Sequence, residues 1–140
     1  MWLTLRILLF ITVVPVLSRL SLSRLGALLE PRSQPTIAAK PQHVTRVIRR
    51  VERAVRACSL GRRVNCRLRG LTLYYFLRRE GVDVCLCFGL GRRDGEFVGH
   101  CWLEKNDTPY LEADDPLEQY TAFYRIPENL RGRLGMQPMP

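Results

Sequence analysis

Three observations predict an α+β fold for this 140-residue chain. Helical periodicity dominates the first half, strict apolar–polar alternation begins after Gly81, and one cysteine stands where the second strong helix starts. The hydrophobic fraction of 46% and the charged fraction of 25% are those of a globular chain long enough to bury a core without disulfides or a metal.

Met1–Leu17 is apolar apart from Thr4, Arg6 and Thr12. Its charge-free run, Ile7–Leu17, has 11 residues and contains Pro15, well short of the roughly 20 a spanning helix needs. No Ala-x-Ala cleavage site follows it directly. Leu17, Leu20, Leu25, Leu28 and Leu29 continue an apolar stripe with Arg19 and Arg24 off it. The expectation is a helical segment packed on the domain or on a partner; a signal sequence or a membrane-surface anchor is the less favoured reading. Glu30–Gln42, broken by Pro31, Pro35 and Pro41, reads as a linker. The division expected is therefore 1–43 for the apolar, basic segment and linker, 44–128 for the main domain and 129–140 for a C-terminal tail.

Thr45–Cys58 has the helical period, with Val47, Ile48, Val51, Ala54, Val55 and Cys58 on one face and Arg46, Arg49, Arg50, Arg53 and Arg56 on the other. Asn65 is a good N-cap, Cys66–Glu80 reads as a mostly buried second helix, and Gly81 closes it. Val82–Leu90 alternates as a strand, with Cys85 and Cys87 opposite Val84, Leu86 and Phe88. Gly91–Glu96 reads as a turn. Phe97–Glu104 is a second strand, with Val98, His100, Trp102 and Glu104 on one face. Asn106-Asp107 marks a turn, Tyr110–Ala113 a third strand and Thr121–Ile126 a fourth, together an antiparallel meander.

Charge divides the chain. Residues 1–79 carry 16 Lys+Arg against Glu30 and Glu52, and residues 80–140 carry six bases against 11 acids. The basic half suits an acidic peptide, a membrane surface or simply solvent. Nucleic acid is disfavoured because no aromatic-interleaved basic motif accompanies the arginines. The five cysteines are an odd number, which argues against a secreted disulfide framework and for a reducing cytosol.

Cys66 opens a helix, where free N–H groups and the helix dipole favour a thiolate. His100, mid-strand, is a base that can take the thiol proton. A carboxylate on the neighbouring strand, Glu112 or Asp114, could orient the imidazole. Hairpin parity puts both on the face of His100 if the loop centres on Asp107, and a two-residue turn reverses this. Each residue also has an ordinary reading: Cys66 as an inert buried thiol, His100 as a satisfied core histidine, Glu112 as an exposed strand acid. Cys85-x-Cys87 places two thiols on one side of a strand, but zinc knuckles lie on loops with wider spacing, so no metal is expected.

The same residues resemble a family. Asn65–Leu73, running into Leu77–Gly81, resembles the cysteine helix of the B proteins of lasso-peptide clusters, stand-alone leader peptidases of the transglutaminase-like superfamily. Gly99-His100-Cys101-Trp102-Leu103-Glu104 resembles their histidine strand, with Cys101 in place of the usual alanine. Phe123–Ile126 resembles the close of the domain. The acid twelve residues after the histidine, usually Asp in that family, is Glu112 here. The resemblance implies a papain-like, transglutaminase-like core, a cysteine-bearing helix on an antiparallel sheet. It implies a cytoplasmic cysteine peptidase without a cofactor, using Cys66, His100 and Glu112 to remove the leader of a ribosomally made precursor. Its implied partners are the precursor peptide, a small leader-recognition protein and an ATP-dependent cyclase similar to asparagine synthetase. The rival readings are a transglutaminase-like acyltransferase and a non-catalytic basic peptide-binding module.

Overall fold

The computed structural model describes residues 1–33, 37, 39–60 and 64–127. Pro35 of the linker and the tail from Asn129 lie outside them. Helices come first, α1 (Trp2–Leu17), α2 (Leu22–Leu29), α3 (Pro41–Cys58) and α4 (Cys66–Arg79). Strands β1 (Cys85–Arg93), β2 (Glu96–Lys105) and β3 (Thr108–Tyr110) follow, then a 3-10 turn at Pro116–Glu118 and β4 (Tyr120–Ile126). This is the α+β arrangement expected, with the N-terminal helix present.

The N-terminal segment shares the core of the rest of the chain. Ile7, Ile11 and Val14 of α1 and Leu25 and Leu29 of α2 are buried in one cluster with Val47, Val51 and Val55 of α3 and Leu71, Leu73 and Leu77 of α4. Pro15 falls in the last turn of α1, where the helix is about to end at Ser18. What read as a linker is bolted to α4 at both ends. Glu30 accepts hydrogen bonds from Tyr74 and Arg78, and the Ala39 N–H donates to the Glu80 carbonyl at 2.9 Å. Helix α3 starts four residues earlier than its periodicity indicates, because Pro41 is at N1, where its missing N–H costs nothing and its φ is already helical.

The sheet has the order β3-β2-β1-β4, all antiparallel. It is not the simple meander expected: after the 3-10 turn the chain crosses to the far edge, and β4 pairs with β1. The strands β1 and β2 also run further than alternation suggested. They meet at Asp94-Gly95, both at positive φ, a two-residue primed turn, so most of the glycine-rich stretch at Gly91 is strand. One face, with Leu86, Phe88, Cys101 and Leu103, packs under the helices, while Cys85, Cys87 and Trp102 form a second cluster with Tyr120 and Ala122 on the other face.

Candidate active site

The sequence-based reading of α4 holds in detail. The Asn65 side chain accepts from the N–H groups of Arg67 and Leu68 at 2.9 and 3.4 Å, which caps the helix and sets Cys66 at its first position. The helix ends at Arg79, and Gly81 takes the left-handed conformation that a C-terminal stop needs. The helix N-terminus points at the middle of β2, and this brings the Cys66 sulfur to both His100 and Cys101.

The electrostatics of this contact are those of an ion pair. The Cys66 thiol is lowered from 9.0 to about 4. The largest cause is the hydrogen bond from the Cys101 thiol; partial burial opposes it, and His100 and the Cys101 N–H add to it. His100 is raised from its ordinary 6.5, first by its hydrogen bond to Cys66, then by the charges of Cys66 and Glu112, against partial burial and Arg69. Cys101 is raised well above 9.0 by donating to Cys66 and by burial. Its Sγ also lies 3.3 Å from the Cys66 carbonyl oxygen. One S–H proton serves one acceptor well at a time, and the thiolate is the stronger of the two. Sequence reasoning credited the helix dipole with stabilising the thiolate and read Cys101 only as a replacement for alanine. Cys101 is itself the largest of the contacts that lower the thiol, a donor that reading left out.

His100 is held from behind by a column of side chains on one sheet face. Its ring stacks on Tyr120 at 4.8 Å and on Trp102 at 5.9 Å. The Trp102 indole N–H donates to Glu104 Oε1 at 3.0 Å, and Arg125 stands 2.9 Å from Glu104 Oε2. Glu104 is buried, so its charge needs both partners. Gly89 makes room for the column: a Cβ there would meet the Trp102 ring at 2.7 Å. The alternation of Val98, His100, Trp102 and Glu104 already announced this face; the contribution of Tyr120, from β4, was not legible.

The two acids part company. The turn at Asn106-Asp107 is the two-residue kind, pairing Lys105 with Thr108, so the parity that favoured Glu112 and Asp114 is reversed. The strand also stops at Tyr110, and Leu111 takes a left-handed φ of 62°. This kink, and not strand register, turns Glu112 toward the site. Its Oε1 accepts from Arg69 Nη1 at 2.8 Å. Arg69 also donates from Nε to Glu52 at 2.9 Å and from Nη2 to the Leu111 carbonyl. Among the described residues no hydrogen bond joins Glu112 to His100; Glu112 acts on the imidazole through its charge. Asp114 is exposed.

Cys66 and His100 stand between two clefts. One, of about 230 Å³, is walled by Phe88, Leu90 and Phe123, with Gly89 and Gly99 at its floor. The other, of about 620 Å³, is charged and lined by Glu52, Arg56, Arg69 and Glu112. An extended peptide laid across the pair would meet apolar surface on one side and charge on the other. Away from the site, the sulfurs of Cys85 and Cys87 and a carboxylate oxygen of Glu104 lie within 4.8 Å of one another. Trp102 and Arg125 already engage that carboxylate, and its surroundings fit packing better than ligation.

A family model described as the transglutaminase-like superfamily matches residues 7–125, which take in α1 from Ile7 onward, the other three helices and nearly all of the sheet. No curated protein and no solved structure matches the chain significantly.

Proposed function

The chain belongs to the transglutaminase-like superfamily, typically cysteine-dependent enzymes, and from that premise we propose that it is a cysteine peptidase that removes the leader of a lasso-peptide precursor. The observation that carries the peptidase reading is the Cys66–His100 contact, a lowered thiol hydrogen-bonded to a raised imidazole between two clefts. Lasso-leader removal is supported by the resemblance of Asn65–Leu73 and Gly99–Glu104 to the cysteine helix and histidine strand of the B proteins.

The proposed chemistry begins from the thiolate–imidazolium pair. The Cys66 sulfur attacks the scissile carbonyl carbon, and the C–O electron pair moves onto oxygen. The Cys66 backbone N–H is the nearest candidate donor for that oxyanion, because Asn65 engages the next two N–H groups and leaves this one without an acceptor among the described residues. Collapse breaks the C–N bond, and His100 gives its proton to the leaving amine. Water, deprotonated by neutral His100, attacks the thioester and releases the acid and the Cys66 thiolate. Glu112, fixed by Arg69, keeps a negative charge near the imidazolium throughout.

In this reading the enzyme needs no cofactor and works in the cytoplasm with a small leader-recognition protein that holds the precursor. The ATP-dependent cyclase, similar to asparagine synthetase, takes the released core. Among the described residues no helix is long and apolar enough to cross a membrane. The test is mass spectrometry of precursor incubated with the protein and the recognition partner. A leader fragment that disappears with Cys66→Ala, while the variant keeps its circular dichroism, supports the reading. Unchanged cleavage by Cys66→Ala overturns the mechanism. Incorporation of an added amine in place of water would identify an acyltransferase instead.

A further inference from the structure

One face of α1 is left uncovered by the other described residues. Successive helical residues turn by about 100°, which groups Ile7, Ile11 and Val14, and these are the buried ones. Opposite them stand Trp2, Leu5, Leu9, Val13 and Val16, exposed by 73%, 60%, 66%, 42% and 61%. The side chains form one stripe along a helix about 24 Å long. Contiguous apolar surface of this kind on a folded chain marks an interaction site. Thr12, at its border, turns its hydroxyl back to the Leu9 carbonyl at 2.7 Å and so presents little polarity outward.

The charged side chains nearest the stripe in the chain have one sign. Arg6, Arg19 and Arg24 are exposed, and no Asp or Glu precedes Glu30. The arginines on the outer face of α3, which packs against α1, add to the positive field of this half.

We propose that the outer face of α1 seats the protein on an anionic lipid surface. Trp2, Leu5, Leu9, Val13 and Val16 enter the boundary between headgroups and acyl chains, and the arginines lie among the phosphates. The helix lies in the plane of the surface. Its other face is held by α3 and α4, so it cannot turn upright without unpacking the core. A second copy is a poorer occupant, because apposing two such faces sets two chains of charge +9 against each other through their basic halves. An acidic protein is disfavoured as well: the stripe is a smooth convex ridge of aliphatic side chains with one tryptophan at its end. A fluid apolar layer covers such a ridge without needing matched pockets.

The test is co-sedimentation of the full chain with vesicles of phosphatidylcholine alone and of phosphatidylcholine mixed with phosphatidylglycerol. Trp2 is the reporter, since Trp102, the other tryptophan, is fully buried. Binding to the mixed vesicles with a blue shift that Trp2→Phe abolishes is expected. Leu9→Ser with Val13→Ser should weaken partitioning about tenfold or more. Arg6→Glu with Arg19→Glu should remove the preference for phosphatidylglycerol, as should high salt. All four positions are exposed, so circular dichroism should be unchanged, and none lines the Cys66–His100 clefts. Failure of the wild-type chain to bind mixed vesicles overturns the proposal. So does a blue-shifted Trp2 without lipid in a concentration-dependent dimer, which makes a second copy the occupant. Protection of Trp2 only by an acidic protein partner overturns it too.

Discussion

The Cys101 thiol lies against the first turn of α4, its Sγ 3.3 Å from the Cys66 carbonyl oxygen and hydrogen-bonded to the Cys66 sulfur. A second thiol beside a nucleophile is a donor that an alanine in its place would not supply. Cys101→Ala should therefore move the acid limb of the pH–activity profile to higher pH and leave Cys66 less ionised near neutrality. Cys101→Ser, which restores a donor, should recover part of the shift. Iodoacetamide alkylation rates against pH measure the Cys66 ionisation directly. An unmoved limb in Cys101→Ala would deny Cys101 this role.

The wild-type pH dependence has a definite sign at each end. Cys66 falls from 9.0 to about 4, so the thiolate appears as pH rises through about 4. His100 lies above 6.5, so the imidazolium is lost only as pH climbs through that raised value. kcat/KM should rise near pH 4, stay level, and fall as pH climbs through the raised His100 value. Stability follows the same logic. The Cys66 contribution is complete above 9.0 and lost as pH falls through about 4, and that of His100 is complete below 6.5 and lost as pH rises through its folded value.

The two histidines should separate cleanly. His100→Ala removes the proton carrier and should lower kcat by about 10²–10⁴-fold or more. His43 is not in a linker but in the first turn of α3, with Nε2 3.1 Å from Glu80 Oε2 and nearly half exposed. Its replacement removes a surface pair worth at most about 1 kcal/mol and should leave cleavage intact. Steady-state kinetics of the two alanine variants, each checked for folding, decide the matter.

Glu112→Gln should lower turnover while leaving the protein folded. With no hydrogen bond to His100, the loss should fall well short of the roughly 10⁴-fold seen when a directly bonded triad carboxylate becomes an amide. Because Glu112 raises His100, the alkaline limb should also move to lower pH. Asp114→Asn should change neither. A loss as large as that of His100→Ala would mean that the carboxylate bonds the imidazole during turnover.

Gly70→Ala tests how tightly α4 lies on the sheet. A Cβ at Gly70 would come within 2.8 Å of Cys101 Sγ and 3.1 Å of Leu86 Cδ1. The overpacking should cost about 1–3 kcal/mol in a urea unfolding experiment and should disturb activity by displacing the Cys101 thiol. A stability and pH profile equal to wild type would show that this contact gives way freely.

Most of what is local was legible in the sequence. Asn65 before an apolar run announces a helix start, because an N-cap needs only its own side chain and the next three N–H groups, and Cys66 at the first position follows. Alternation put His100, Trp102 and Glu104 on one face, because a strand projects every second residue the same way. Boundaries slipped where a single residue changes the backbone. Pro41 extends α3 to take in His43, and Asp94-Gly95 tightens the turn between β1 and β2.

The rest depended on contacts between residues far apart in the chain. Cys101 points to the opposite sheet face from His100, so strand parity separates two residues that α4 unites by ending its N-terminus between them. The Leu111 kink and the grip of Arg69 on Glu52 and Glu112 decide where the acid goes, because β3 ends before its register can. Tyr120 reaches His100 only because β4 crosses to the far edge of the sheet. Which helix bears the thiol and which strand face bears the imidazole can be read from the residues alone, because both follow from backbone periodicity. What surrounds them is chosen by how helices and strands pack against one another, and packing has no period to read.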